Sequence, residues 1–139
     1  MENIRIESDL RFVQNIPVLD VVGEIDIYTT PQFKEAVSAA IDQGGPAVVI
    51  NMKKVSYMDS SGFGTLLSAT KKLRPMNGSL FLCNCNEAIT RMLQITRLDS
   101  IFGVCGTEDE AIAGAATSLA ARAVMAVDVA NEAHAVAAA

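Results

Sequence analysis

The five residues Ala47-Val48-Val49-Ile50-Asn51 constrain the fold more than any other stretch. Four consecutive apolar side chains allow no alternation between a wet and a dry face. A short run of this kind reads as a central strand buried on both sides. Such a strand needs helices above and below it, and parallel neighbours reached by crossovers. The flanks agree. Upstream, Phe33, Val37, Ala40 and Ile41 recur at helical spacing and make one apolar stripe. Thr30 is the expected N-cap of that helix and Pro31 its expected first residue. Gly44 and Gly45 are expected to end it through the left-handed cap conformation. Downstream, Phe63, Leu66, Leu67, Thr70 and Leu73 form a second helical stripe, stopped by Pro75 and turned by Asn77-Gly78.

The remaining segments extend the same plan. IRIESDLRFVQ (4–14) alternates loosely and reads as a strand, and a second strand runs from Pro17 to about Gly23. Two strands so close in sequence pair antiparallel. SLFLCNC (79–85) is a strand, and NEAITRMLQITRL (86–98) a helix with Ala88, Ile89, Met92 and Leu93 inward. IFGVC (101–105) is a last short strand, and Glu108, Asp109 and Glu110 stabilise the start of a last helix. The order is β-β-α-β-α-β-α-β-α. The expected fold class is α/β, a small mixed and mostly parallel sheet with helices packed on it.

Composition removes several functions. A chain of 139 residues favours one domain, and a half-hydrophobic composition supplies its core. Without tryptophan and with 5% aromatics there is little with which to stack bases. Residues 107–139 carry Glu108, Asp109, Glu110, Asp128 and Glu132 against Arg122, a net −4 of the total −5. A nearly neutral body with an acidic end is a poor nucleic-acid binder. Lys71, Lys72 and Arg74 fall in the last turn of a helix, where cations complement its dipole. The apolar run at 111–121 is too short for a membrane span and is followed by Arg122. MENIRIESDLR has no secretory character, and three cysteines give no disulfide framework, so a cytoplasmic location is expected. Cys83 and Cys85 are expected on one face of a strand as small core residues, with Cys105 elsewhere and no zinc site.

Tyr57-Met58-Asp59-Ser60-Ser61-Gly62-Phe63-Gly64 stands between the central strand and the second helix. A nucleophilic serine needs a base, and the only histidine is His134, far along the chain. Both glycines follow the serines, so the G-x-S-x-G elbow is absent. Gly62-x-Gly64 does not continue as a dinucleotide fingerprint, because Leu67 holds the last place. Asp26 and Asp59 alone are weak grounds for a metal. A helix cap accounts for one of Ser60 and Ser61, with the glycines letting the backbone approach a neighbour, but leaves the other serine and Asp59 unexplained. A phosphoacceptor accounts for more. Phosphate on a serine at a helix start meets free N–H groups and the positive dipole end, and adds about −1.5 to −2 charges beside Asp59.

The stretch VSYMDSSGFGTLL resembles the signature of the anti-sigma factor antagonists, the STAS-domain family. GEIDIYTTPQF (23–33) is similar to that family's segment before its first helix, and LDSIFGVCGTEDEAI (98–112) to its final strand and helix start. The resemblance covers roughly residues 4–120 in the family's order. It implies that Ser60, directly after the Asp, is phosphorylated, and that Asp26 and Asp59, with Ser61, Gly62 and Gly64, lie in the partner contact. It implies no cofactor, no enzymatic activity and a partner switch. The unmodified protein binds an anti-sigma factor that is also a serine kinase with a histidine-kinase-like ATPase fold, which frees a sigma factor. Phosphorylation by that kinase ends the complex, and a serine phosphatase resets it. The alternative is a STAS module in a signalling scaffold or a phospholipid-transport complex. Residues 1–123 are taken as the STAS domain and alanine-rich residues 124–139 as an extension without a counterpart. Thr96-Arg97-Leu98 departs from the family, many members of which have glycine before the leucine.

Overall fold

A computed structural model describes the backbone of residues 6–138 and the side chains of residues 6–124. Strand β1 (Ile6–Val13) turns into β2 (Ile16–Ile25). Then α1 (Thr30–Gly44), β3 (Ala47–Met58), α2 (Ser60–Leu73), β4 (Ser79–Cys83), α3 (Glu87–Ile95), β5 (Gly103–Cys105) and α4 (Glu108–Ala138) follow. The sheet order is β1-β2-β3-β4-β5. The first pair is antiparallel and the others are parallel, as the element order requires. Gln14 and Asn15 join β1 to β2 with φ of 52° and 66°, the backbone that matches a two-residue turn to strand twist.

Each crossover carries the chain one strand further, so α1, α2 and α3 share one face of the sheet. Phe33, Val37, Leu66, Leu73, Ile89 and Leu93 meet Leu19, Val21, Ile50, Met52, Leu80 and Leu82 there, all buried. The opposite face buries Ile16, Val18, Ala47, Val49 and Cys83 under Ala111, Ile112 and Ala115 of α4. Both faces of β3 are therefore covered, as its apolar start demands.

A polar cluster fixes the start of α4. Arg11 donates to Asp20 at 2.6 Å and to Glu108, and Asn51 donates to Glu108 at 3.0 Å. The Arg11 hydrogen bond holds the Glu108 carboxyl below its usual range, with Asn51 helping and partial burial opposing. Further along, Ser118 contacts Ser79 at the start of β4, and Arg122 Nε donates to the Met76 carbonyl at 2.7 Å. Helix α4 thus runs from the carboxyl ends of the strands to their amino ends. It continues unbroken through residue 124 to Ala138.

Several sequence expectations are corrected. Strand β2 reaches Ile25, not Gly23, and β3 reaches Met58, not Asn51. The pair Gly23↔Val55 lies beyond one irregularity in the β2–β3 ladder and Ile25↔Met58 beyond a second. These shift the buried positions of β3 to Met52, Val55 and Met58, which hides the strand from a search for period two. Helix α1 is capped at Thr29, so Pro31 is its second residue. Gly45 has φ of −51° and no left-handed cap. Gly44 is needed for contact, since a Cβ there would lie 2.7 Å from Phe12 and Pro17. In α2 the buried positions are Gly62, Phe63, Thr65, Leu66, Ala69 and Leu73, with Leu67 and Thr70 half-buried. Helix α3 is capped by Asn86 and stops at Ile95, with Arg97 at φ 58° leading Leu98 into a separate turn. Only Ile89 and Leu93 of α3 are buried; Ala88 and Met92 are exposed. The last strand begins at Gly103, not Ile101. Cys83 packs against the α4 side and Cys85 against the other. Asn84, at φ 58°, breaks the alternation between them. Residues 4 and 5 of the first expected strand, and the side chain of His134, lie outside the described residues.

Candidate functional site

The carboxyl ends of β2 and β3 are neighbours, so the loop after each is brought beside the other. The Asp59 amide donates to the Ile25 carbonyl at 3.0 Å, closing the gap between them. Asp59 is extended, with φ −97° and ψ −173°, and is the N-cap of α2. Its Oδ1 accepts the Ser61 amide at 2.9 Å and the Ser61 hydroxyl. The hydroxyl bond holds the Asp59 carboxyl below its usual range. Backbone amides of Ser61, Gly62 and Ile27 add to this, and partial desolvation opposes it. The expectation that Ser60 or Ser61 caps the helix is thus corrected. An ionised carboxylate is the stronger acceptor, and Asp59 occupies the cap position.

The two serines have different fates. Ser60 is the first residue of α2 and is exposed, and its hydroxyl makes no hydrogen bond among the described residues. Ser61 is half-buried, and its Oγ also lies 2.6 Å from Thr30 Oγ1. The Gly62 and Phe63 amides reach the Asp59 carbonyl at 3.1 and 3.3 Å. The expected ring of free N–H groups is therefore largely spent. Among the described first-turn amides, that of Ser60 alone has no acceptor.

The two glycines also differ. Gly62 is buried, and a Cβ there would lie 2.4 Å from Met58 Cγ and 2.9 Å from Ile25 Cγ2. Gly64 is exposed with nothing within 4 Å of such a Cβ, so the expectation of close packing holds for Gly62 and fails for Gly64. Ser60 and Gly64 are four residues apart and share one helix face.

Asp26 shapes the neighbouring loop. Its Oδ1 accepts the Tyr28 and Thr29 amides at 2.9 and 3.0 Å, and its own amide donates to Thr29 Oγ1 at 2.9 Å. Thr29 is buried and donates to the Glu24 carbonyl at 2.7 Å. This turn lifts Ile27 and Tyr28 outward, 69% and 78% exposed. Sequence reasoning passed over both. The available signal was an apolar pair between the strand end and the helix cap. The Asp26 carbonyl also contacts Thr30 Oγ1, so Asp26 reaches the serine turn through Thr30 and Ser61.

Residues 7–111 match the model of the STAS domain. The chain belongs to the STAS-domain family of anti-sigma factor antagonists. This STAS domain is 37% identical over 108 residues to the anti-sigma-B factor antagonist of Listeria monocytogenes, covering 78% of the chain and 94% of that relative. Its fold is similar to that of an anti-sigma factor antagonist from Mycobacterium paratuberculosis, with a TM-score of 0.73 and 28% identity over 79% of this chain and 93% of that one. It is also similar to the Bacillus protein SpoIIAA. The unphosphorylated form of SpoIIAA gives a TM-score of 0.64 and 29% identity, over 76% of this chain and 93% of that one. The phosphorylated form gives 0.59 and 28%, over 76% and 96%. The Listeria and Mycobacterium relatives and SpoIIAA are anti-sigma factor antagonists. No helix among the described residues of this STAS domain is long and apolar enough to cross a membrane.

Proposed function

We propose that this STAS domain is a cytoplasmic anti-sigma factor antagonist switched at Ser60. In its unmodified form it binds an anti-sigma factor that is also a serine kinase with a histidine-kinase-like ATPase fold, and so releases a sigma factor. The kinase transfers phosphate to Ser60, the complex separates, and a serine phosphatase resets the site. The observation that carries this reading is the contrast between the two serines: Ser61 is tied to Asp59 and Thr30, while the Ser60 hydroxyl is exposed without a partner among the described residues. Gly64 supports it, because an exposed helical glycine costs about 1 kcal/mol relative to alanine and no described residue lies within 4 Å of where its Cβ would stand. The bare helix face leaves room for a partner's backbone, and Ile27 and Tyr28 offer apolar contact beside it. In this reading Asp26, Asp59, Ser61 and Gly62 shape the contact, and the switching unit is residues 1–123.

The mechanism of release is electrostatic exclusion. Phosphate on Ser60 shares the helix start with the Asp59 carboxylate, and at a closed interface both would be desolvated together. A loss of about 3 kcal/mol would weaken binding on the order of a hundredfold. The test is labelling by the cognate kinase with ATP, followed by mapping of the modified residue. Ser60→Ala should bind the kinase and take no label. Labelling that persists in Ser60→Ala and vanishes in Ser61→Ala would overturn the assignment.

A further inference from the structure

Four oxygens form a line from the β2–α1 loop to the cap of α2. They are the Asp26 carbonyl, Thr30 Oγ1, Ser61 Oγ and Asp59 Oδ1. Thr30 Oγ1 contacts the Asp26 carbonyl and lies 2.6 Å from Ser61 Oγ, which in turn contacts Asp59 Oδ1. Three contacts call for three protons. Each hydroxyl brings one, and the carbonyl and the ionised carboxylate bring none. One contact is therefore always without a proton.

Two arrangements keep a proton between the hydroxyls. Both hydroxyls point toward Asp59, or both point toward the Asp26 carbonyl. The first leaves the contact between Thr30 and the Asp26 carbonyl without a proton, the second leaves the contact between Ser61 and Asp59 without one, and a third, in which each hydroxyl donates to its own end, leaves the two hydroxyls without one. The acceptors at the two ends are unequal. Asp59 carries a charge, and a hydrogen bond to a charged acceptor is roughly twice as strong as a neutral one. The Asp26 carbonyl already accepts the Thr30 amide at 2.8 Å and the Thr29 amide at 3.2 Å. The charge on Asp59 sets the second arrangement aside, and a carbonyl already accepting two amides gains least from a third donor, which favours the first arrangement over the third.

We propose that Thr30 is a positioning residue: its hydroxyl donates to Ser61 Oγ and so turns the Ser61 hydroxyl onto Asp59. This takes Ser61 out of competition and leaves Ser60 as the hydroxyl open to a phosphoryl group, a consequence that rests on the switching role of Ser60 proposed above. The hydroxyl line also ties the Asp26 loop to the serine turn, so the two halves of the contact surface are aligned before a partner arrives.

The experiment is a carbon-detected NMR titration of the Asp59 carboxyl, with no kinase present. Thr30→Val withdraws the proton that holds Ser61 in place, and the Asp59 midpoint moves up. Thr30→Ser restores the hydroxyl and stays at the wild-type midpoint. In a Ser61→Ala background Thr30→Val has no further effect, because Thr30 acts through Ser61. The opposite orientation gives the opposite sign, since removing Thr30 would free the Ser61 proton to turn toward Asp59. A downward or absent shift in Thr30→Val overturns the proposal. So does an equal upward shift in Thr30→Ser, or an undiminished effect of Thr30→Val in Ser61→Ala. Should Thr30→Val not fold, Thr30→Ala is read in the same way. A Ser60 that no kinase labels would overturn the switching role and leave the titration result standing.

Discussion

Gly62 and Gly64 sit two residues apart in one helical turn, and alanine at each should move stability in opposite directions. Both substitutions gain the helix propensity of alanine, about 1 kcal/mol over glycine. At Gly64 nothing lies within 4 Å of the added methyl, so the gain stands. At Gly62 the methyl would lie 2.4 Å from Met58 Cγ, 2.7 Å from its sulfur and 2.9 Å from Ile25 Cγ2. Overfilling a packed site costs about 1–3 kcal/mol, and the flexible Met58 side chain keeps the cost near the middle of that range. Net of propensity, Gly62→Ala should destabilise by about 1 kcal/mol and Gly64→Ala stabilise by up to about 1 kcal/mol. The two variants should differ by about 2 kcal/mol, or several degrees in Tm for a domain of this size. Urea denaturation with matched m-values measures the difference directly. In binding the order reverses in importance: Gly64→Ala, though the more stable, should weaken the complex by narrowing the bare face beside Ser60. Equal destabilisation by both substitutions would refute the packing argument. A Gly64→Ala protein that binds its kinase at wild-type strength would refute the role given to the open face.

Ser60→Asp should imitate release incompletely, because one carboxylate carries less charge and fewer acceptor oxygens than phosphate; amide shifts confined to the region of residues 26 and 57–66 are expected, and shifts across the whole sheet would mean that the switch is conformational. The acid limb of stability should report Glu108 and Asp59, whose carboxyls are held low by Arg11 and by the Ser61 hydroxyl respectively. A carboxyl lowered by folding contributes stability above its unfolded value of about 4 and loses it as pH falls through the folded value, so Glu108→Gln should flatten the decline below about pH 4, and an unchanged acid limb would count against the Arg11 cluster. Burial pushes the Cys83 thiol up to about 12, so iodoacetamide at pH 8 should leave it unmodified in the native protein and alkylate it in urea; rapid native labelling would contradict its place beneath α4.

The architecture was legible because it rests on patterns that survive without tertiary context. The apolar run at 47–50 and the stripe Phe33-Val37-Ala40-Ile41 each point to one element, and their alternation dictates a parallel sheet. The second half of β3 was not legible. Lys53 and Lys54 interrupt it, and the irregular ladder beside Asp20 and Gly23 replaces alternation by a spacing of three. Helix α3 misled for a different reason. Met92 fits the helical period of Ile89 and Leu93, but nine residues against the sheet bury only one pair, and periodicity does not say how wide a buried stripe is. At the site, the D-S-S-G-x-G order marked the turn but not the division of labour within it. The hydroxyl that meets Ser61 Oγ belongs to Thr30, thirty-one positions away, and no local pattern carries that information.

The direction of α4 has a practical consequence. The helix leaves the sheet near Arg122, whose bond to Met76 lies beside the start of β4. Residues 123–138 continue it for about 24 Å at 1.5 Å per residue. Ser60 is at the other pole, past the end of β3. Whatever is joined to the far end of α4, whether a fluorophore, a biosensor surface or a neighbouring protein, is held a full sheet length and a helical spacer away from the serine turn. The molecule can be tethered by one pole and read at the other.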